Sequence, residues 1–285
     1  MDNLIVVYDN AADGGTLTAS STAGSTSINN TKLNTKSKVW RSTSTTATIL
    51  LTFTSRVIQA VALAFCNIST TGTIRVKGYT SNPTLSGVTI VGGTMAWDSG
   101  TMLACPWENL LHTSATSPVS GVSVYSYAGG KIGRCYYENS TPITSITIEL
   151  VDTSNPAGYI EISRIIAGDF WSPQFNTSYA GVIVKRVELS GSERTDSGDL
   201  VSTVGTKHIE LGFDLKYMLN SDRSTFNTII SSNGTVKPMF ISLFPYATEI
   251  EKERDFQIFG KISSISPIMH PVYSIYSSQL NIEEI

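Results

Sequence analysis

Residues 47–53 (ATILLTF), 57–65 (VIQAVALAF) and 73–79 (TIRVKGY) decide the fold. The third alternates apolar and polar residues, which is the period of a half-buried strand. The first two are short, nearly continuous apolar runs rich in β-branched and aromatic residues, bounded by polar breaks and Gly72. Such runs fit strands better than helices, because they are too short for a helical stripe to develop. Outward from this block, residues 88–91 give a weaker strand, and residues 141–151 (TPITSITIELV) and 159–167 (YIEISRIIA) give two clear ones. Both follow turn chemistry: Asn139 to Pro142 before one, Asn155-Pro156 with Gly158 before the other.

The same pattern resumes near the C-terminus, at residues 182–189, 208–215, 238–244, 255–265 and 273–282. One helix is expected, near 214–232, where Leu215, Leu219, Phe226 and Ile229-Ile230 can share a face. Residues 9–37 are a Gly/Ser/Thr/Asn stretch expected to be loop with a short strand or turn. Residues 92–140 hold two Gly pairs, Pro106 and Pro118, and read as an irregular insert. Many short strands between turn residues predict a mainly β protein of packed sheets. Two domains are expected: residues 1–168, a sandwich carrying the insert 92–140, and residues 169–285, a β-rich assembly domain with the helix.

Composition narrows the function. The chain has 285 residues, of which 41% are hydrophobic, so a sizeable core is expected. Only 15% are charged, against the roughly 25% usual in soluble proteins. Ser and Thr fill polar positions instead, which suits strands and suits faces that partner chains will cover. The net charge of −3 and the lack of a basic run argue against nucleic acid. No apolar stretch is long enough for a membrane span, and the N-terminus lacks a basic n-region, so synthesis without a cleaved export signal is expected. Three widely spaced cysteines, Cys66, Cys105 and Cys135, argue against a disulfide framework and a zinc site, and are expected as buried free thiols.

No motif carries catalysis, and no catalytic, cofactor or metal residue is expected. His112, His208 and His270 lie in unrelated contexts. Asp98 with Glu108, and Glu193 with Asp196 or Asp199, offer carboxylate pairs of the kind a glycosidase uses, but sit in Ser/Gly turns where Asp caps its own backbone. Asp9, Asn10 and Asp13 beside Gly14-Gly15 offer oxygen ligands for calcium, but read better as a turn. The mixed-sign stretch 249–255 reads as a solvated face or hairpin. Among the aromatics, Trp40 and Trp171 are expected to close the ends of the first sandwich. Trp97, Trp107, Tyr136 and Tyr137 are the candidate contacts for a partner chain or a glycan.

The order Trp40-Arg41-Ser42, ATILLTF, VIQAVALAFCN, TIRVKGY resembles the galactose-binding-like jelly roll of discoidin type, with Asn67 and Arg75 at its rim positions. The later segments (Asp98-Ser-Gly100, NPAGYIEISRIIAGDFWSP, ERTDSGDL and FISLFP) are similar to tailed-bacteriophage virion proteins that append a second β domain. The resemblance implies a structural component of the tail or baseplate, located in the virion. Its partners would be copies of itself in a symmetric ring and other tail proteins. A carbohydrate-binding module for host attachment is the alternative, with solvent-exposed Trp97, Trp107 or Tyr137 around a groove. A tail-associated glycan hydrolase is the third reading.

Overall fold

The computed structural model describes residues 3–107, 125 and 130–285. Its first strands are β1 (Ile5–Val7), β2 (Thr16–Ala19), β3 (Trp40–Arg41), β4 (Thr46–Arg56), β5 (Ala60–Cys66) and β6 (Thr73–Ser81). A small hairpin of β7 (Thr84–Ser86) and β8 (Thr89–Val91) leads to β9 (Thr94–Leu103), β10 (Lys131–Tyr136), β11 (Ile143–Val151) and β12 (Glu161–Gly168). Next come β13 (Ile183–Glu188), the hairpin β14 (Gly191–Arg194) and β15 (Leu200–Thr203), and β16 (Lys207–Met218). The chain ends with β17 (Met239–Ser242), β18 (Gln257–Ile265), β19 (Met269–Val272) and β20 (Ile275–Glu284).

Apart from the two-stranded hairpins β7–β8 and β14–β15, these strands form three antiparallel sheets stacked in layers. A five-stranded sheet, ordered β2-β4-β11-β6-β9, faces a four-stranded sheet, ordered β10-β5-β12-β3. The third sheet runs β1-β17-β18-β20-β16-β13, with β19 attached to β20. Between the first two sheets lies the sandwich core, built on Trp40, Ile49, Leu51, Leu63, Ile148 and Ile165.

The apolar run of β5 now has a physical cause. Every residue of AVALAFC is buried, because both faces are covered. Val61 and Leu63 point into the sandwich core, while Ala60, Ala62 and Ala64 face Ile5, Val7, Phe240 and Phe259 of the third sheet. The small alanines let the two sheets approach closely. Phe65 sits at a bulge with φ of 55° and is edge-on to Phe259, ring centroids 6.5 Å apart. Gly130 makes this possible, because a Cβ there would lie 2.5 Å from the Phe65 Cα.

On its far face the third sheet buries a second core, with Phe213, Leu215, Ile241 and Ile282 covered by Phe226 and Ile229 of the helix Asn220–Asn233. Ion pairs tie the third sheet and its flanking elements to the sandwich. Lys36 and Glu284 meet at 3.0 Å with both side chains buried, and Arg134 reaches Glu253.

Several expectations are corrected. Residues 5–7, expected within the first domain, form the edge strand of the third sheet, because Val6 fills the second core while Ile5 and Val7 fill the inter-sheet layer. The segment 92–140 is not irregular throughout, since it supplies β9 and β10. Three register shifts against β6 break the alternation of β9, which hid it. The helix begins at Asn220 rather than near 214, because Phe213, Leu215 and Met218 enter the core from a strand. The stretch 249–255 holds a second, short helix, Ile250–Asp255, in which Glu253 is buried. A four-residue helix, Ala11–Gly14, also forms within the N-terminal polar stretch. Trp40 is a core residue of the sandwich as expected, but Trp171 packs on Phe226 in the second core.

Candidate functional site

Trp97 on β9 lies directly on Gly78 of β6, where a Cβ would come within 2.3 Å of the indole Nε1. Its ring packs against Tyr137 at a tilt of 35°, with centroids 3.9 Å apart. Trp107 is buried beneath the Arg134 guanidinium, 5.2 Å from the ring centroid. Tyr136 is buried between the sheets, stacked on Phe240 and edge-on to Tyr246. Among the described residues, Trp97, Trp107 and Tyr137 therefore line no exposed groove. Trp107, Tyr136 and Tyr137 are buried and Trp97 is half-buried, because they fill the layers around β9 and β10.

The polar residues singled out in the sequence are also engaged. Asp98 receives two prongs of the Arg75 guanidinium and the backbone N–H of Gly100, and Arg75 holds its carboxyl below the usual carboxylate range. Asn67 donates to the Tyr159 carbonyl and accepts from the Glu161 N–H, so its amide is engaged within the fold, while Arg75 is paired with Asp98 but 40% exposed. Asp9 pairs with Arg56 and Lys237, Asp13 with Arg164, and Asn10 caps its own helix. Protein cations and N–H groups thus occupy the oxygens weighed for calcium.

His270 stacks on Tyr276, and His208 lies near Glu283. Glu193 belongs to the exposed hairpin β14–β15, and Asp196 and Asp199 to its turn. Glu108 and His112 lie outside the described residues.

A cleft of about 500 Å³ opens elsewhere, on the outer face of the five-stranded sheet. The hairpin β7–β8 forms one wall, held down by a hydrogen bond from the Thr48 hydroxyl to the Val88 carbonyl at 2.9 Å. The floor carries Lys77 and Glu149, paired at 2.5 Å, with Tyr79 beside them and Met95 at the rim. Hydroxyls of Thr46 and Thr48 and the backbone at Gly92-Gly93 complete it. A charged pair, hydroxyls and an apolar rim suit a small polyhydroxylated ligand. The sequence held a signal for it: Lys77 and Tyr79 alternate with the inward Ile74 and Val76.

Two projections of the third sheet are exposed and apolar. The hairpin β14–β15 is exposed at every strand residue and presents Leu200 and Val201, with Leu189 and Val204 at its base. The turn between β19 and β20 presents Val272 and Tyr273, the latter 90% exposed, beside Met269. Among the described residues no helix is long and apolar enough to cross a membrane, and no group of side chains is arranged to hold a metal.

No family model and no curated protein matches the chain. Among solved structures, a GH29 fucosidase of Ruminococcus gnavus in complex with fucose is 13% identical, with a TM-score of 0.36. The match covers 58% of this chain, which spans 27% of the fucosidase chain. A family 32 carbohydrate-binding module from a family 31 glycoside hydrolase of Clostridium perfringens is 11% identical over 57% of this chain and 99% of its own, with a TM-score of 0.32. The tail of an empty GTA particle is 13% identical over 41% of this chain and 83% of its own, with a TM-score of 0.27. The chain is mainly β, with its five- and four-stranded sheets packed face to face as an antiparallel sandwich.

Proposed function

We propose that the chain is a non-enzymatic structural component of a virus particle, in the tail or baseplate of a tailed bacteriophage. It acts by packing against copies of itself, in a closed ring, and against neighbouring tail proteins. The observation that carries the reading is the pair of apolar projections on the third sheet. Leu189, Leu200, Val201, Val204, Val272 and Tyr273 are more than half exposed. Large apolar side chains left this exposed at two projections are candidate anchors for a partner chain. Each apolar Å² that a partner covers contributes roughly 25 cal/mol, before the cost of association is subtracted. The order of segments that resembles phage virion proteins supports the same reading, as does the low charge content. The two halves are proposed as a sandwich domain and an assembly domain that share the N-terminal strand. The test is the mass of the purified protein in solution. A discrete oligomer that Leu200→Asp with Val201→Asp reduces to monomers is expected. A protein that is monomeric at all concentrations and absent from virions would overturn the reading.

The second reading is a carbohydrate-binding module for host attachment, and the cleft at Lys77, Glu149 and Tyr79 favours it. On this reading the glycan contacts shift from Trp97, Trp107 and Tyr137 to that cleft. Binding to a glycan array that Lys77→Ala abolishes, with oligomer mass unchanged, would establish it. No binding across the array would retire it.

A further inference from the structure

Cys66 ends β5 in the four-stranded sheet, and Cys105 follows β9 of the five-stranded sheet. Both are fully buried, and their Sγ atoms stand 3.8 Å apart. Sulfurs at that distance are in contact, and modest side-chain rotation can bring them to bonding distance. Cys135 lies on β10 with its thiol beside the Ser99 hydroxyl, and serves as an internal comparison.

We propose that Cys66 and Cys105 are a reversible oxidation site, a buried dithiol that closes to an intramolecular disulfide. The two thiols are not equivalent. At Cys66 burial pushes upward, but the Cys105 thiol and the backbone N–H groups of Ile68 and Gly133 outweigh it, so this sulfur falls below its ordinary thiol value. At Cys105 burial raises the thiol well above that value. Cys66 is therefore the attacking thiolate and Cys105 the resolving group.

The oxidant is a small-molecule disulfide, and because both sulfurs are fully buried it would require local opening of the sandwich to reach them. The Cys66 thiolate attacks one of its sulfurs and expels the other as a thiol. Cys105 then loses its proton and attacks the Cys66 sulfur, expelling the second thiol. The protein loses two hydrogens and the oxidant gains them.

The bond would close the chain between residues 66 and 105. Within that loop lie β6 with Lys77 and Tyr79, the hairpin β7–β8, and Met95 of β9, which supply much of the cleft wall. Oxidation would brace the cleft and clamp β9 to the four-stranded sheet.

The test uses the intact protein with oxidised glutathione, and with diamide as a smaller two-electron oxidant. After quenching, free thiols are alkylated under denaturing conditions and the peptides mapped. The expected result is one link between Cys66 and Cys105, Cys135 fully alkylated, and a melting temperature raised by about 5 °C or more. Dithiothreitol should reverse all of it, and Cys135→Ala should leave it intact. Three alkylatable thiols after both oxidants, or a link that includes Cys135, would overturn the proposal. Because mapping the unaltered protein decides it, a Cys66→Ala variant that fails to fold does not matter.

Discussion

Arg134 on β10 and Glu253 in the short helix Ile250–Asp255 form a two-pronged ion pair between the sandwich and the third-sheet unit, with Nε–Oε1 and Nη2–Oε2 distances both 2.9 Å. Their side chains are 11% and 2% exposed. Burial lowers the Arg134 guanidinium, but Glu253 outweighs it and holds the group charged. Removing the carboxylate leaves a cation with little water around it. Glu253→Gln should cost about 3 kcal/mol or more. Urea unfolding followed by tryptophan fluorescence would measure it. A loss below about 0.5 kcal/mol would mean water reaches Arg134 freely.

Gly78 and Trp97 give a second, local prediction. The contact under the indole has no room for a methyl group. Gly78→Ala should lift the ring off Tyr137 and destabilise the protein by about 1–3 kcal/mol. A red-shifted tryptophan emission should accompany the loss. Unchanged emission with unchanged stability would show that the ring does not rest on β6.

Acid stability should depend on Asp98. Its hydrogen bond to Arg75, with help from the Gly100 N–H, lowers its carboxyl from 3.8. A carboxyl lowered by folding contributes stability above its unfolded value and loses it as the pH falls through the folded one. The contribution should therefore be complete above about pH 5 and disappear below 3.8. Asp98→Asn should flatten the stability profile in that window. A profile parallel to that of the unaltered protein down to pH 2 would refute the assignment.

The alkaline limb tests the interface from the other side. Tyr246 is 45% exposed overall, but partial burial of its phenol pushes it up to about 12, and its hydroxyl donates to the Tyr136 carbonyl at 2.7 Å. A phenol raised by folding contributes fully below its unfolded value of 10 and loses that contribution as the pH climbs towards 12. Tyr246→Phe should lower stability at neutral pH by about 1 kcal/mol and remove this alkaline loss. Tyrosinate absorbance during the titration reads it directly, and an ionisation near 10 by Tyr246 would contradict the burial.

Much of the fold was legible because alternation and turn chemistry act locally. The strands at residues 73–79 and 143–151 have one face in the core and one outward, so their period appears in the sequence. β9 escaped because three register shifts scramble its period, and Glu253 escaped because its partner is far away in sequence. The burial of the candidate contacts was illegible for a related reason. An aromatic in a Gly-rich stretch looks the same whether it meets water or a neighbouring sheet. Gly78 beneath Trp97 and Tyr137 beside it decided that, and no spacing rule connects those residues.

By itself the sequence determined that the chain is built of packed β-strands, that its cysteines are buried thiols, and that its charge is sparse. Periodicity, residue size and composition are properties of short segments and need no partner. Only the tertiary structure decided that Ile5–Val7 crosses to the third sheet, that the alanines of β5 are a sheet-to-sheet contact, and that Cys66 lies against Cys105. Each of these is a meeting between residues distant in sequence, fixed by how layers stack rather than by any local preference of the chain.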